Sequence, residues 1–328
     1  MSGLEPRILP IMKRHRLLRV LVVVACAVPP AGCRTAAAAE LAVEQKPDRL
    51  VITDGGRPVA AYVFRDEKIL RPYFAHVHAP GGIQVTRNHP PIPGTDATDH
   101  DSMHPGLWLA FGDISGHDFW RNKAKITHVR FVEPPAVRDG RVVFTAENAL
   151  DAAGGERVCV QISRVTLLAR PCGYLLIWDA TFESDRRDFV FGDQEEMGLG
   201  VRMATALIEK NGGVIRNSAG AEGAKGTWGR TAAWSDCSGV IGGRRAGIQL
   251  MPDPANFRPS WFHNRDYGLM AANPFGRNAF TGGEKSAVVV KKGEPFRLRF
   301  GVLIHAGPPG RDVDLAAEYE HFTRVVAP

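Results

Sequence analysis

The sequence predicts an all-β protein: a large antiparallel sandwich of two sheets, with long loops and one short C-terminal helix. Three observations carry this. From residue 50 onward, short apolar runs alternate with polar residues at the period of a strand. Turn formers punctuate those runs, with 35 Gly and 23 Pro in 328 residues. No strand–helix–strand alternation appears, which argues against a parallel sheet.

The elements follow in order. LVITDGGRPVAAYVF, residues 50–64, is two apolar runs around an Asp-Gly-Gly turn and reads as a hairpin. VRDGRVVFTAENAL repeats that pattern, and Val158 to Phe182 alternates around a break at Pro171 and Gly173, so the pattern is a meander. GDISGHDFW reads as a turn leading into a strand that anchors Phe119 and Trp120. VDLAAEYEHFTRVV places Leu315, Tyr319 and Phe322 on one helical face. Three long connections interrupt the strands: PGGIQVTRNHPPIPGTDATDHDSMHPG, the turn around DQEEMGLG, and MPDPANFRPSWFHNRDYGLMAANPFGR. Loops of that length on a sheet scaffold are where binding and catalytic groups sit. No repeat or composition break divides residues 40–328, so a single β-sandwich domain is expected there.

Residues 12–39 read as an export signal, with MKRHR as the basic region, LLRVLVVVACAV as a short apolar region and a small-residue zone ending at Ala39. The apolar run is too short for a bilayer span. PAGC offers the alternative of a lipoprotein signal to residue 32, with Cys33 lipidated. The formal charge of +6 resides largely in this leader: residues 1–39 hold six of 41 Lys+Arg and one of 35 Asp+Glu, leaving 35 against 34. A near-neutral remainder without a basic stripe excludes nucleic acid as the partner class. Beyond the leader the cysteines are Cys159, Cys172 and Cys237, too few for a disulfide framework; one Cys159–Cys172 bridge or three buried thiols are the alternatives.

Four groups could carry chemistry. His100 and His104 are four apart, the spacing that on a helix presents two imidazoles to one divalent metal ion, but Pro105 and Gly106 disfavour that helix. DQEEMGLG offers Glu195 and Glu196, which in an extended segment point to opposite faces, and Arg202 is a candidate to tune one of them as a general base. PSWFHNRDYG interleaves Trp261, Phe262 and Tyr267 with His263, Arg265 and Asp266; aromatic faces beside a cation, an imidazole and a carboxylate suit a sugar. Arg87, His89, Trp108 and His305 complete the set. No GxSxG elbow, GxGxxG or phosphate loop is present.

The blocks RPYFAHVHAPGGIQVTRNHPP, HPGLWLAFGDISGHDFW, DQEEMGLGVRMAT, WFHNRDYG and AANPFGR resemble, in order, those of the PmoA-like family of exported bacterial proteins, also called DUF6807, over about Arg71 to His305. The resemblance implies a galactose-mutarotase-type supersandwich associated with carbohydrate use. The methane-oxygenase name does not suit a chain without membrane spans after its leader. Residue by residue, the resemblance points to Arg87, His104, Glu195, Glu196, Arg202, His263, Arg265, Asp266, Tyr267 and His305. The family pattern has a histidine pair and an arginine before GLW; Met103, His104 and Pro105 stand there instead, which weakens a metal site needing adjacent histidines.

The expected function is that of an exported protein, periplasmic or secreted, which binds or processes a small carbohydrate by acid/base chemistry without a cofactor. His104, Glu195, Glu196 and His263 are the catalytic candidates. Arg87, His100, Trp108, Arg202, Arg265, Asp266, Tyr267 and His305 are the substrate-binding ones. A non-catalytic sugar-binding lipoprotein, tied to the membrane only through Cys33, is one alternative. A metal-dependent oxygenase or lyase using His100 and His104 is the other.

Overall fold

Apart from Gly3, the computed structural model describes residues 39–327, so the expected leader, Cys26 and Cys33 lie outside the described residues. The chain runs through β1 (Leu41–Gln45), β2 (Arg49–Asp54), β3 (Arg57–Val63), β4 (Tyr73–Ala75), β5 (His78–Ala79), β6 (Ile83–Gln84) and β7 (Leu107–Phe111). A long meander follows: β8 (Lys125–Arg138), β9 (Arg141–Asp151), β10 (Arg157–Arg170) and β11 (Gly173–Glu183). Next come β12 (Phe189–Phe191), β13 (Met197–Arg202), β14 (Val214–Asn217) and the short helix α1 (Gly223–Thr227). The C-terminal part holds β15 (Ser235–Ile241), β16 (Arg244–Pro252), β17 (Trp261–Phe262), β18 (Leu269–Asn273), α2 (Arg277–Thr281), β19 (Val288–Val290), β20 (Phe296–Ala306) and α3 (Leu315–Val326).

Two antiparallel eight-stranded sheets result, in the orders β1-β2-β3-β4-β7-β13-β18-β17 and β14-β15-β16-β20-β11-β10-β9-β8. Gly55–Gly56, Asp139–Gly140 and Pro171–Cys172 close the three hairpins expected from turn chemistry. Period-two alternation sends one side of each strand into a shared core: Phe74, Leu109, Phe111, Leu199, Val201 and Met270 from the first sheet meet Phe144, Val165, Leu176, Trp178, Ile248 and Phe300 from the second. The outer face of the second sheet is covered by α3, whose Leu315, Phe322 and Val326 pack on Leu175, Ile177 and Leu303. Asp314 caps that helix, accepting from the Ala317 amide at 3.0 Å. Gly301 permits its approach, because a Cβ there would lie 2.7 Å from the Phe322 ring.

Two expectations need correction. Phe119 and Trp120 are fully buried, yet they lie in the irregular connection before β8 and not in a strand. Of the two cysteine alternatives the Cys159–Cys172 bridge does not form: both thiols are free, because Cys159 stands near the start of β10 and Cys172 in the turn after its end, so the length of the strand separates them. Cys159 and Cys237 are buried as small apolar groups. Among the described residues no helix is long and apolar enough to cross a membrane.

Candidate functional site

The outer face of the first sheet is the informative one. Met197, Leu199 and Val201 of β13 point into the shared core, so Gly198, Gly200 and Arg202 point outward, yet every residue of β13 is buried. Loops therefore roof this face. Register places Tyr73, Trp108 and Gly200 side by side across β4, β7 and β13. Ala271 of β18 pairs with Gly200, and His263 exchanges both backbone hydrogen bonds with Ala271 at 2.8 and 3.1 Å. Two small residues thus separate Trp108 from His263 along a trough in the sheet face that the Trp120 ring fills at Gly200, so only its rims are exposed. Gly200 is required, since a Cβ would lie 2.7 Å from Trp120 and 2.8 Å from Trp108.

One wall of the trough is a column of four nearly parallel rings. His104 stacks on Trp108 at 5.1 Å, His100 on His104 at 4.8 Å, and Tyr267 on His100 at 5.8 Å, with interplanar angles of 14°, 18° and 15°. Arg202 covers Tyr267, its guanidinium carbon 4.5 Å from the ring centre. The loop carrying the column is held from below: buried Arg87 donates to the carbonyls of Ala97, Asp99 and His104 at 2.8, 2.7 and 3.2 Å. Arg202 clamps the Asp99 carboxylate at 2.8 and 3.0 Å, and His100 Nδ1 meets the same carboxylate at 2.7 Å. Burial opposes the charge on Asp99, but the bonds from Arg202 and His100 and the positive charges of Arg202 and Arg87 outweigh it and hold the carboxyl far below the usual range. Burial, with Arg202 nearby, pushes His104 down to about 2, so its imidazole is neutral.

Across the trough, Glu195, His263, Arg265 and Trp228 converge. Arg265 donates to Glu195 Oε2 at 2.9 Å, and that oxygen lies 3.4 Å from His263 Nδ1. The Trp228 indole N–H also faces Nδ1, at 3.2 Å. An indole can only donate, so Nδ1 is the lone-pair nitrogen, the proton sits on Nε2, and the contact with Glu195 is not an ion pair. Burial, with Arg265 and Arg121 nearby, agrees, pushing His263 down to about 3. Glu195 keeps 37% of its side chain exposed, while His263 is buried. Asn273 fixes this turn by donating to the Gln194 and Glu195 carbonyls at 2.7 and 3.0 Å. Replacing Trp228 by phenylalanine is expected to cost about 1 kcal/mol and to raise the His263 pKa, because Nδ1 becomes free to pair with Glu195. A titration of the ring by NMR that matches wild type would refute this assignment.

The model of DUF6807, a family of unknown function, matches residues 49–320. The chain belongs to the DUF6807 family. No curated protein matches it. Among solved structures, a galactose mutarotase-like protein from Lactobacillus casei aligns with 81% of this chain and all of its own, at 11% identity and a TM-score of 0.37. A galactose mutarotase-related enzyme from Lactobacillus acidophilus aligns with 84% of this chain and all of its own, at 9% identity and a TM-score of 0.32.

In this DUF6807 member, the trough gathers Trp108, His104, His100, Tyr267, His263, Arg265 and Glu195, and the other sequence candidates lie elsewhere or are committed. Arg87 is spent on loop carbonyls, so it holds the loop and not a ligand. Arg202 serves Asp99 and not the glutamates. Glu196 turns away from Glu195 to Arg121, which also bonds Asp118 and Gln194 at 3.1 and 3.2 Å. Asp266 is exposed beside Arg265, and the two line a hollow with Trp228, Glu209 and Lys225. His305 belongs to the other sheet, fully buried against Asp236 at 2.7 Å, and cannot face the trough. His100 and His104 do occupy one turn, the His104 amide bonding the His100 carbonyl at 2.9 Å, but their rings stack as plates and do not converge. Among the described residues no group of three or more His, Cys, Asp or Glu is arranged for a metal ion.

Sequence reasoning missed Trp228 and Arg71. Arg71 lies under Trp108, 5.5 Å from its ring centre, and bonds the Trp120 carbonyl at 2.7 Å. Arg71 opens the first motif block and could have been weighed; Trp228 sits in KGTWGR, where no spacing signals it.

Proposed function

We propose that this chain binds a carbohydrate at the exposed rim of the trough and transforms it by proton transfer, with Glu195 as general base and His263 as a neutral hydrogen-bond donor through Nε2. The supporting observation is the convergence of Glu195, His263 and Arg265, with Glu195 and Arg265 partly exposed to solvent, on the face whose other rim carries the stacked rings of His100 and Tyr267. The half-exposed carboxylate can reach a hydroxyl proton, and Arg265 steadies its charge. His263 acts without becoming imidazolium: at a pKa of about 3 the cation is too costly near neutral pH, whereas a fixed N–H still stabilises developing oxyanion charge. The basic and apolar leader supports export to the periplasm or beyond, with Cys33 as the lipid anchor in the lipoprotein form of this reading.

Mutarotation, hydrolysis and elimination assays over a panel of hexoses and uronates test it. Glu195→Gln and His263→Asn should each slow the active reaction by about 100-fold or more with folding unchanged. Wild-type rates in both variants would end the proposal. One observation favours a purely binding role: Arg265 already occupies Glu195 at 2.9 Å. Calorimetric binding of a sugar with no turnover in any assay would select that reading.

A further inference from the structure

A second cavity opens on the same outer face, at the end formed by β3 and β4, with a volume of 680 Å³. Pockets of about 300–1,000 Å³ are the size that holds small ligands. It is distinct from the trough. Tyr73 neighbours Trp108 across the sheet, and the loop above them sends Asp101 and Ser102 into the cavity wall while Asp99 and His100 serve the ring column.

The cavity is built and not merely left over. Tyr73 is buried and donates its hydroxyl to Asp66 Oδ2 at 2.6 Å. Asp66 Oδ1 accepts from the amides of Lys68 and Ile69 at 2.7 and 3.1 Å, so the carboxylate is a fixed acceptor. His89 packs edge-on against Tyr73 at 5.3 Å, and its Nδ1 is buried with no partner among the described residues. A buried nitrogen without a partner costs about 1–3 kcal/mol, which is recovered when the ring turns about its Cβ–Cγ bond and brings Nδ1 to a ligand hydroxyl in the cavity. His76, at the same wall, holds a left-handed backbone with φ of 50°, a conformation uncommon outside glycine, asparagine, aspartate and histidine. Val63, Ala75 and Pro91 supply an apolar side.

Charge narrows the occupant. Arg49 is bonded to Asp48 at 3.1 Å, Asp66 is engaged by Tyr73, and Arg65 and Lys68 at the rim are matched in number by Glu67 and Asp101. The wall therefore carries four carboxylates, Asp48, Asp66, Glu67 and Asp101, against three cations, Arg49, Arg65 and Lys68, which disfavours an anionic ligand. We propose that this cavity is a second ligand site that takes a neutral, hexose-sized polyol, its hydroxyls meeting His89 Nδ1 and Asp66 and its apolar face meeting Val63 and Ala75. The site does not depend on the trough being catalytic.

Galactose, glucose and glucuronate, titrated into the full chain carrying isotope-labelled histidine, provide the test, with the His89 ring signals identified by their loss in His89→Asn. Either neutral hexose should shift the His89 signals, and Glu195→Gln should leave that shift intact. Calorimetry on His89→Asn should show affinity at this site weakened about tenfold. If His89→Asn does not fold, Ser102→Trp at the cavity mouth should block the same shift. Unmoved His89 signals with both hexoses overturn the proposal, even if sugar binds in the trough. Loss of the shift in Glu195→Gln, or a shift with glucuronate alone, also overturns it.

Discussion

Replacing Asp99 by alanine is expected to cost roughly 2–3 kcal/mol and to release the loop that carries His100 and His104. Arg87 and Arg202 have only 1% and 2% of their side chains exposed, and Asp99 is the carboxylate both of them meet, at 3.6 and 2.8 Å. Removing it leaves two buried guanidinium groups without their anion. A fully buried pair broken in this way costs about 3–5 kcal/mol; the smaller figure applies because Asp99 keeps 39% of its side chain exposed and water screens part of the effect. Denaturant unfolding measures the loss, and limited proteolysis of the segment 92–103 reports the released loop. The paired change Asp99→Leu with Arg202→Leu should recover part of the stability, because it removes an isolated charge. Full stability in Asp99→Ala would mean that the clamp is ornamental.

Stability is also expected to fall steeply in mild acid. Both histidines flanking the trough have folded pKa values below the ordinary 6.5, His104 at about 2 and His263 at about 3. Between pH 6.5 and those values, the unfolded chain binds protons that the folded chain refuses. Their full contribution is therefore present above pH 6.5 and is lost as pH falls, by up to about 1.4 kcal/mol per pH unit for each histidine. Asp99, whose carboxyl is held low, adds to the same trend at more acid pH. Replacing His104 or His263 by asparagine should flatten the acid limb of a stability profile measured between pH 7 and pH 4. A profile with the wild-type slope in both variants would place the acid sensitivity elsewhere.

The hairpins and the final helix were legible because their signals are local: Asp-Gly-Gly, Asp-Gly and Pro-Cys-Gly turns, and one amphipathic stretch with Asp314 before it. Glu195 and Glu196 do part, to Arg265 and Arg121, but they lie in a bend before β13 and not in the extended segment the sequence suggests, so strand periodicity is not the cause. Partnership was not legible. Arg202 reaches Asp99, 103 residues away, and nothing in either segment distinguishes that pairing from one with Glu195. His305 reads from the sequence as a polar residue near the end of an apolar strand, but β20 lies at the centre of the second sheet, where such a residue is buried and needs Asp236. Trp228 acts through one nitrogen on one imidazole, a contact made by folding rather than by spacing.

The ring column gives the molecule an intrinsic optical reporter. Trp108, at its base, is one of six tryptophans, is fully buried, and touches a neutral imidazole borne by the loop. An indole's emission depends on what lies against its face, so lifting the loop exchanges imidazole for water at that face. The difference between the spectra of the wild type and Trp108→Phe isolates this one fluorophore, and with it release of the loop, as expected in Asp99→Ala, can be followed without a label.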